Sequence, residues 1–116
     1  MLRAMWNGVV LAETPRTVRL EGRHYFPPES LNREFFAESG TRTLCPWKGV
    51  ASYYTLVCTE AASPNAAWRY RHPTPLAYRI KNHVAFNAEV TVQDGREPAQ
   101  GGWVRRMLGR LRGARV

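Results

Sequence analysis

Apolar and polar residues alternate along Thr17-Val18-Arg19-Leu20-Glu21, the period of a strand with one buried face. Val9 to Glu13 is a short apolar run ahead of it, and Thr14-Pro15-Arg16 between them reads as a turn, so the two segments are expected to form a hairpin. Gly22 interrupts the second strand and His24-Tyr25-Phe26 resumes it, which predicts a bulge or bend at the glycine. Pro27-Pro28-Glu29-Ser30 then stops the sheet. From Pro28 to about Ser39 the pattern turns helical: proline suits a first turn and Glu29 complements a helix N-terminus. Leu31 and Phe35 lie one turn apart, and Gly40 can terminate. One short amphipathic helix is therefore expected over about 28–39.

Thr41 to Leu44 reads as extended. Val50-Ala51-Ser52-Tyr53-Tyr54-Thr55-Leu56-Val57-Cys58, rich in aromatic and β-branched residues, is the strongest strand in the chain. Ala61 to Asn65 reads as a loop and Ala66 to Tyr70 as another strand. Pro73 and Pro75 bracket a turn before a single helical turn at Leu76 to Ile80. His83 to Val92 is expected to be one long strand, with Val84, Phe86, Ala88, Val90 and Val92 on one face. Many short strands and frequent Gly and Pro predict a mainly β domain, a small folded sheet or barrel.

At 116 residues the chain has room for one domain. Residues 1–95 make up that β-rich domain and 96–116 a basic C-terminal tail. In the tail, Trp103, Val104, Met107, Leu108 and Leu111 oppose arginines in an amphipathic pattern that is either helical or disordered. The net charge of +8 divides unevenly: the tail has six arginines and one glutamate, a net of +5, which leaves +3 for residues 1–95. Nucleic acid or an anionic membrane is thus not the expected partner and stays open only through the tail. The folded part is mildly basic and has no nucleic-acid motif. No apolar run of about 18 residues or secretory leader is visible, so a cytoplasmic location is expected. In that setting Cys45 and Cys58 are expected to be free thiols.

Chemistry concentrates in Cys45-Pro46-Trp47-Lys48-Gly49. Thiolate is the reactive form of cysteine, and an ammonium beside it favours that form, so Cys45 with Lys48 is a candidate catalytic or redox pair. His72 is the first histidine to consider as its base. The competing reading makes Cys45 a small core residue, Trp47 a core filler and Lys48 a solvated charge. A binding reading uses Trp47, Tyr53, Trp68, Tyr70 and Phe86 as aromatic walls, with Lys48 and Arg69 supplying charge for a small polar or anionic ligand. Strand alternation puts Trp68 and Tyr70 on one face and Arg69 on the other, so these do not serve one pocket. Cys45, Cys58, His72 and His83 lack metal-ligand spacing, and no phosphate loop or dinucleotide fingerprint is present, so no metal or cofactor is expected. An exposed β edge leaves homodimerisation open.

Cys45 to Tyr53 reads Cys-Pro-aromatic-Lys-Gly-x-Ala-x-Tyr; Ala66-Ala67-Trp68-Arg69-Tyr70 and Val84-Ala85-Phe86 follow. In this order the motifs resemble those of the domain of unknown function 427 family, over roughly residues 4 to 95. The resemblance implies a β-rich fold similar to the β-tent proteins, some of which hold zinc through paired Cys-x-x-Cys ligands that this chain lacks. It implies no assigned activity. Where family members commonly place a bulky aromatic after Val-Ala-Phe, this chain has Asn87, which opens one wall of any pocket there. The expected function is a binding module for a small polar or anionic organic ligand in an aromatic pocket beside the Cys45–Gly49 loop. The alternatives are a cysteine-dependent enzyme and an interaction protein acting through its tail.

Overall fold

Asn7 and Gly8 both take positive φ, 50° and 81°. Two such residues in succession make the turn whose twist suits a right-handed strand pair. They join β1 (Leu2–Trp6) to β2 (Val9–Thr14), which pair antiparallel. Glu21 and Gly22 repeat the device at 53° and 78°, joining β3 (Val18–Leu20) to β4 (Arg23–Tyr25). The expected hairpin between Val9–Glu13 and Thr17–Glu21 is therefore replaced by two separate hairpins. Gly22 is a turn residue rather than a bulge within a strand. The structure, a computed structural model, describes residues 1–95, so the expected tail helix or disorder lies outside the described residues.

The segment expected to be a helix over 28–39 forms two single 3-10 turns, Pro28–Ser30 and Arg33–Phe35, followed by β5 (Phe36–Cys45). Leu31 bridges to Ala12, and Asn32 donates from its backbone to Leu11 O and from its side chain to Val10 O. These bonds hold Leu31 and Asn32 extended (ψ 141° and 93°) and separate the turns. Phe36 and Glu38 then pair with Leu56 and Tyr54 of β6 (Gly49–Val57). Tertiary pairing with the strongest strand overrides a local helical preference of a few tenths of a kcal/mol per residue, about as expected for a weak prior.

β6 pairs in turn with β7 (Ala62–Tyr70), and β7 with β8 (Val84–Phe86), giving an antiparallel sheet in the order β5-β6-β7-β8. The expected loop at Ala61 to Asn65 is mostly strand, with an irregularity between Tyr54 and Leu56 and Asn65 at φ 54°. The expected long strand from His83 to Val92 is interrupted. Asn87 donates its N–H to Ala66 O, and its side chain accepts the N–H of Glu89, turning the chain away. The chain then enters β9 (Thr91–Asp94), which joins the other sheet in the order β2-β1-β9. The helical turn expected at Leu76–Ile80 is present as a 3-10 segment, Pro75–Ile80.

Strand alternation buries both faces of the four-stranded sheet. On one face Tyr54, Leu56, Ala67, Val84 and Phe86 join Trp6, Leu11 and Phe26 in the larger core. On the other, Ala51, Tyr70 and Ala85 join Tyr25, Ala77 and Ile80 in a smaller one, with Tyr53, Trp68, Cys45 and Trp47 packed against it. Adjacent Tyr25 and Phe26 thus serve opposite cores. Among the described residues no helix is long and apolar enough to cross a membrane.

Candidate functional site

Cys45 pairs with Gly49 at the end of the β5–β6 hairpin, and the Lys48 N–H donates to Cys45 O at 3.2 Å. Gly49 is at φ +115°, and a Cβ built there would lie 3.2 Å from the carbonyl oxygen of His72. Thr74 secures the same turn: its N–H donates to Lys48 O at 3.1 Å and its hydroxyl to Trp47 O at 2.6 Å. The loop is therefore fixed against the segment that follows β7.

Lys48 is 8% exposed, and its ammonium lies 5.4 Å from the Tyr70 ring centroid and 5.6 Å from that of Trp47. Its ion-pair partner is Glu21, whose other carboxylate oxygen accepts the Trp47 indole N–H at 3.0 Å. These two hydrogen bonds, from Lys48 first and then from Trp47, hold the Glu21 carboxyl below its ordinary value. Burial pushes the Lys48 ammonium down, but its bond to Glu21 and the neighbouring Tyr25 and Tyr70 phenols outweigh it, and the net shift is upward. The Tyr70 phenol is raised by burial. Lys48 is thus not solvated: it is a buried cation paired with a carboxylate from another hairpin. Cys45 is half-buried against the smaller core.

The aromatic residues singled out from the sequence divide between the two sheet faces. Tyr53 and Trp68 pack together with ring centroids 5.9 Å apart, and the Arg23 guanidinium sits 4.9 Å over Trp68. Trp47 and Tyr70 share that side. Phe86 lies on the other, edge-on to Phe26 at 5.7 Å. It also lines a 250 Å³ cleft with Asn87, Arg23 and His24. Burial, and then Arg19, lowers the His24 imidazole below its ordinary value. Arg69 is on the face opposite Trp68 and Tyr70, as alternation requires.

That opposite face carries a basic surface which composition does not announce. A cleft of about 440 Å³ is lined by Arg33, Arg69, Arg71, His72 and Lys81, with Pro28, Leu31 and Tyr54 as apolar walls. A second, of about 270 Å³, adjoins it through Arg71 and His72 and reaches Arg42, Ser52 and Gly49. Register explains the clustering: Arg42 pairs with Ser52 and Ser52 with Arg69, making a row across three strands, and Arg71 follows Arg69 by two residues. His72 lines these clefts and meets the Cys45–Gly49 loop through its backbone carbonyl.

Few acids oppose these cations. Arg69 bonds Glu38 at 3.0 Å and stacks 5.0 Å over Tyr54, but its buried Nε has no acceptor among the described residues. Arg33 and Arg42 reach only backbone carbonyls, each at 3.4 Å. Arg71 and Lys81 have no carboxylate partner among the described residues. Of these arginines and the lysine, the sequence singles out Arg69 alone. Arg42 needs the β5–β6–β7 register, Arg33 comes from a 3-10 turn outside it and Lys81 caps another, although Arg69 and Arg71 at i, i+2 carry a faint signal.

Among the described residues no group of three or more His, Cys, Asp and Glu side chains converges as metal ligands would. Cys58 accepts a hydrogen bond from Asn7 and His83 sits by Lys81 O, apart from the Cys45 loop. No curated protein matches the chain. The family model described as a domain of unknown function (DUF427) matches residues 1–96, which include both hairpins, the Cys45–Gly49 loop and every cation of the two clefts. The chain belongs to the DUF427 family.

Proposed function

We propose that this domain is a binding module for a small anionic organic ligand, held in the basic cleft beside the Cys45–Gly49 loop by Arg33, Arg69, Arg71, His72 and Lys81. The observation that carries the reading is the charge imbalance: Arg33, Arg42, Arg69, Arg71 and Lys81 line two adjoining clefts, and Glu38 is the one carboxylate paired with any of them among the described residues. Like charges gathered on one surface repel, and an anion in the cleft offsets that repulsion. Guanidinium groups suit the purpose because their fixed fork meets carboxylate or phosphate with two parallel hydrogen bonds.

The cleft volume falls within the roughly 300 to 1,000 Å³ of small-molecule sites, and Pro28, Leu31 and Tyr54 offer an apolar wall to the organic part of a ligand. The smaller cleft, which reaches Gly49, is lined by Arg42, Arg71 and His72 and by none of the five aromatic side chains that the sequence singles out. A thiol reaction at Cys45 has less support, since the ammonium expected to activate it is paired with Glu21. Action through the tail concerns residues outside those described.

Isothermal titration of the full chain with citrate and with phenyl phosphate tests the reading. Saturable one-to-one binding is expected, weakened about tenfold or more by Arg71→Gln, the loss of one charge-assisted bidentate contact. Arg19→Gln, which lies outside both clefts, leaves it unchanged. The reading fails if neither probe binds saturably or if Arg71→Gln binds as the native chain does.

A further inference from the structure

Resting on the anion-binding reading, we infer that the ligand carries an oligophosphate chain, which runs from the larger cleft past Arg71 and His72 into the smaller one.

A single carboxylate or phosphate needs one or two guanidinium partners, yet the adjoining clefts present four arginines and a lysine. Two of them stand at the ends of one row. Arg42, Ser52 and Arg69 sit opposite one another on β5, β6 and β7. Two strand spacings separate the backbones at the ends of this row by about 10 Å. Arg71 and His72 line both clefts, and Arg33 and Lys81 line only the larger.

One phosphate is too short to satisfy both ends of such a row, whereas a chain of them meets a donor at each step. At the centre, Ser52 is buried with its hydroxyl on the same face, and Arg69 Nε is a buried donor lacking an acceptor among the described residues. An unpaired buried donor such as Arg69 Nε is rare in folded proteins. Glu38 neutralises part of Arg69 from the flank, leaving Arg42, Arg71, Arg33 and Lys81 without a carboxylate among the described residues.

The test is titration of the full chain, at fixed ionic strength and without divalent cations, with orthophosphate, tripolyphosphate and ATP. Tripolyphosphate is expected to bind about 100-fold more tightly than orthophosphate, as added charge-assisted contacts should give. Arg42→Gln should weaken tripolyphosphate about tenfold and orthophosphate by clearly less, so that the preference for the chain shrinks. Arg42→Lys, which keeps the charge but not the fork, should fall between. Because the C-terminal arginines also attract polyanions, a variant carrying R105Q, R106Q, R110Q and R112Q is included and should retain the affinity.

Tighter binding of ATP than of tripolyphosphate would identify a nucleotide as the source of the chain, and equal binding the chain alone; each supports the inference. Equal affinity for orthophosphate and tripolyphosphate overturns it, as does affinity lost in the tail variant and kept in Arg42→Gln. If citrate or orthophosphate binds in an Arg71-dependent way without any gain for tripolyphosphate, the anion-binding reading stands and this one falls. If no anion binds saturably, both fall.

Discussion

Replacing Gly49 with alanine isolates the joint between the loop and the basic clefts. At φ +115° an L-residue is strained, which costs about 1 to 3 kcal/mol. The new methyl would also stand 3.2 Å from His72 O and 3.5 Å from Pro73 Cα, both backbone atoms that cannot rotate aside. Overpacking of this kind costs roughly 1 to 3 kcal/mol, and the stiffer unfolded chain returns about 0.4 to 1. The net is a destabilisation of about 1 to 5.6 kcal/mol, at roughly 4 to 8 °C in Tm per kcal/mol for a domain of this size. Gly40→Ala is the control, because φ is +83° there but nothing lies within 4 Å of the added carbon. Thermal melts followed by near-ultraviolet circular dichroism, with urea titrations alongside, measure both. Gly49→Ala should be the more destabilising by at least about 1 kcal/mol, and it alone should weaken citrate binding, since His72 lines both clefts. Equal losses in the two variants would refute the argument that this backbone approach is tight.

Glu21→Gln removes a carboxylate held below its ordinary value of 4.5 by Lys48 and Trp47. A depressed carboxyl contributes stability above its unfolded value and loses it as pH falls through the folded one. The Tm gap between native and Glu21→Gln chains should therefore be steady near neutral pH and close below about pH 4 in acid melts; a gap that widens in acid contradicts the pairing. Iodoacetamide labelling of Cys45 at neutral pH, read by peptide mass spectrometry, should proceed at the same rate in folded Lys48→Met as in the native chain. A slower rate would show the ammonium acting on the thiol. Phe26→Ala, in the larger core and edge-on to Phe86, should cost about 3 to 5 kcal/mol in urea unfolding; a loss under about 1 would mean that this core is loosely packed.

Much of the β character was legible because alternation and β-branched content mark strands directly, as in Val50 to Cys58. The Cys-Pro-Trp-Lys-Gly loop and the separation of Arg69 from Trp68 and Tyr70 also followed from local rules. Turn chemistry was legible yet outweighed: Asn7-Gly8 is a strong hairpin signal, and the more conspicuous Thr14-Pro15-Arg16 drew the hairpin to the wrong pair. The helix over 28–39 failed for a reason that a local window cannot hold. Leu31 and Phe36 are claimed by Ala12 and Leu56, partners distant in sequence. The same limit hid the site. Glu21 reaches Lys48 from 27 residues away, and Arg42 comes beside Arg69 only through strand register.

The proposed binding function turns on which face of the four-stranded sheet holds the anion. A two-dimensional NMR titration of the full chain with citrate, monitoring backbone amides and tryptophan indole N–H groups, decides this most directly. The predicted result is saturable shifts centred on Arg69, Arg71, His72, Lys81 and Asn82, with the Trp47 and Trp68 indoles unmoved. Shifts confined to those indoles, or to residues beyond 95, would contradict it.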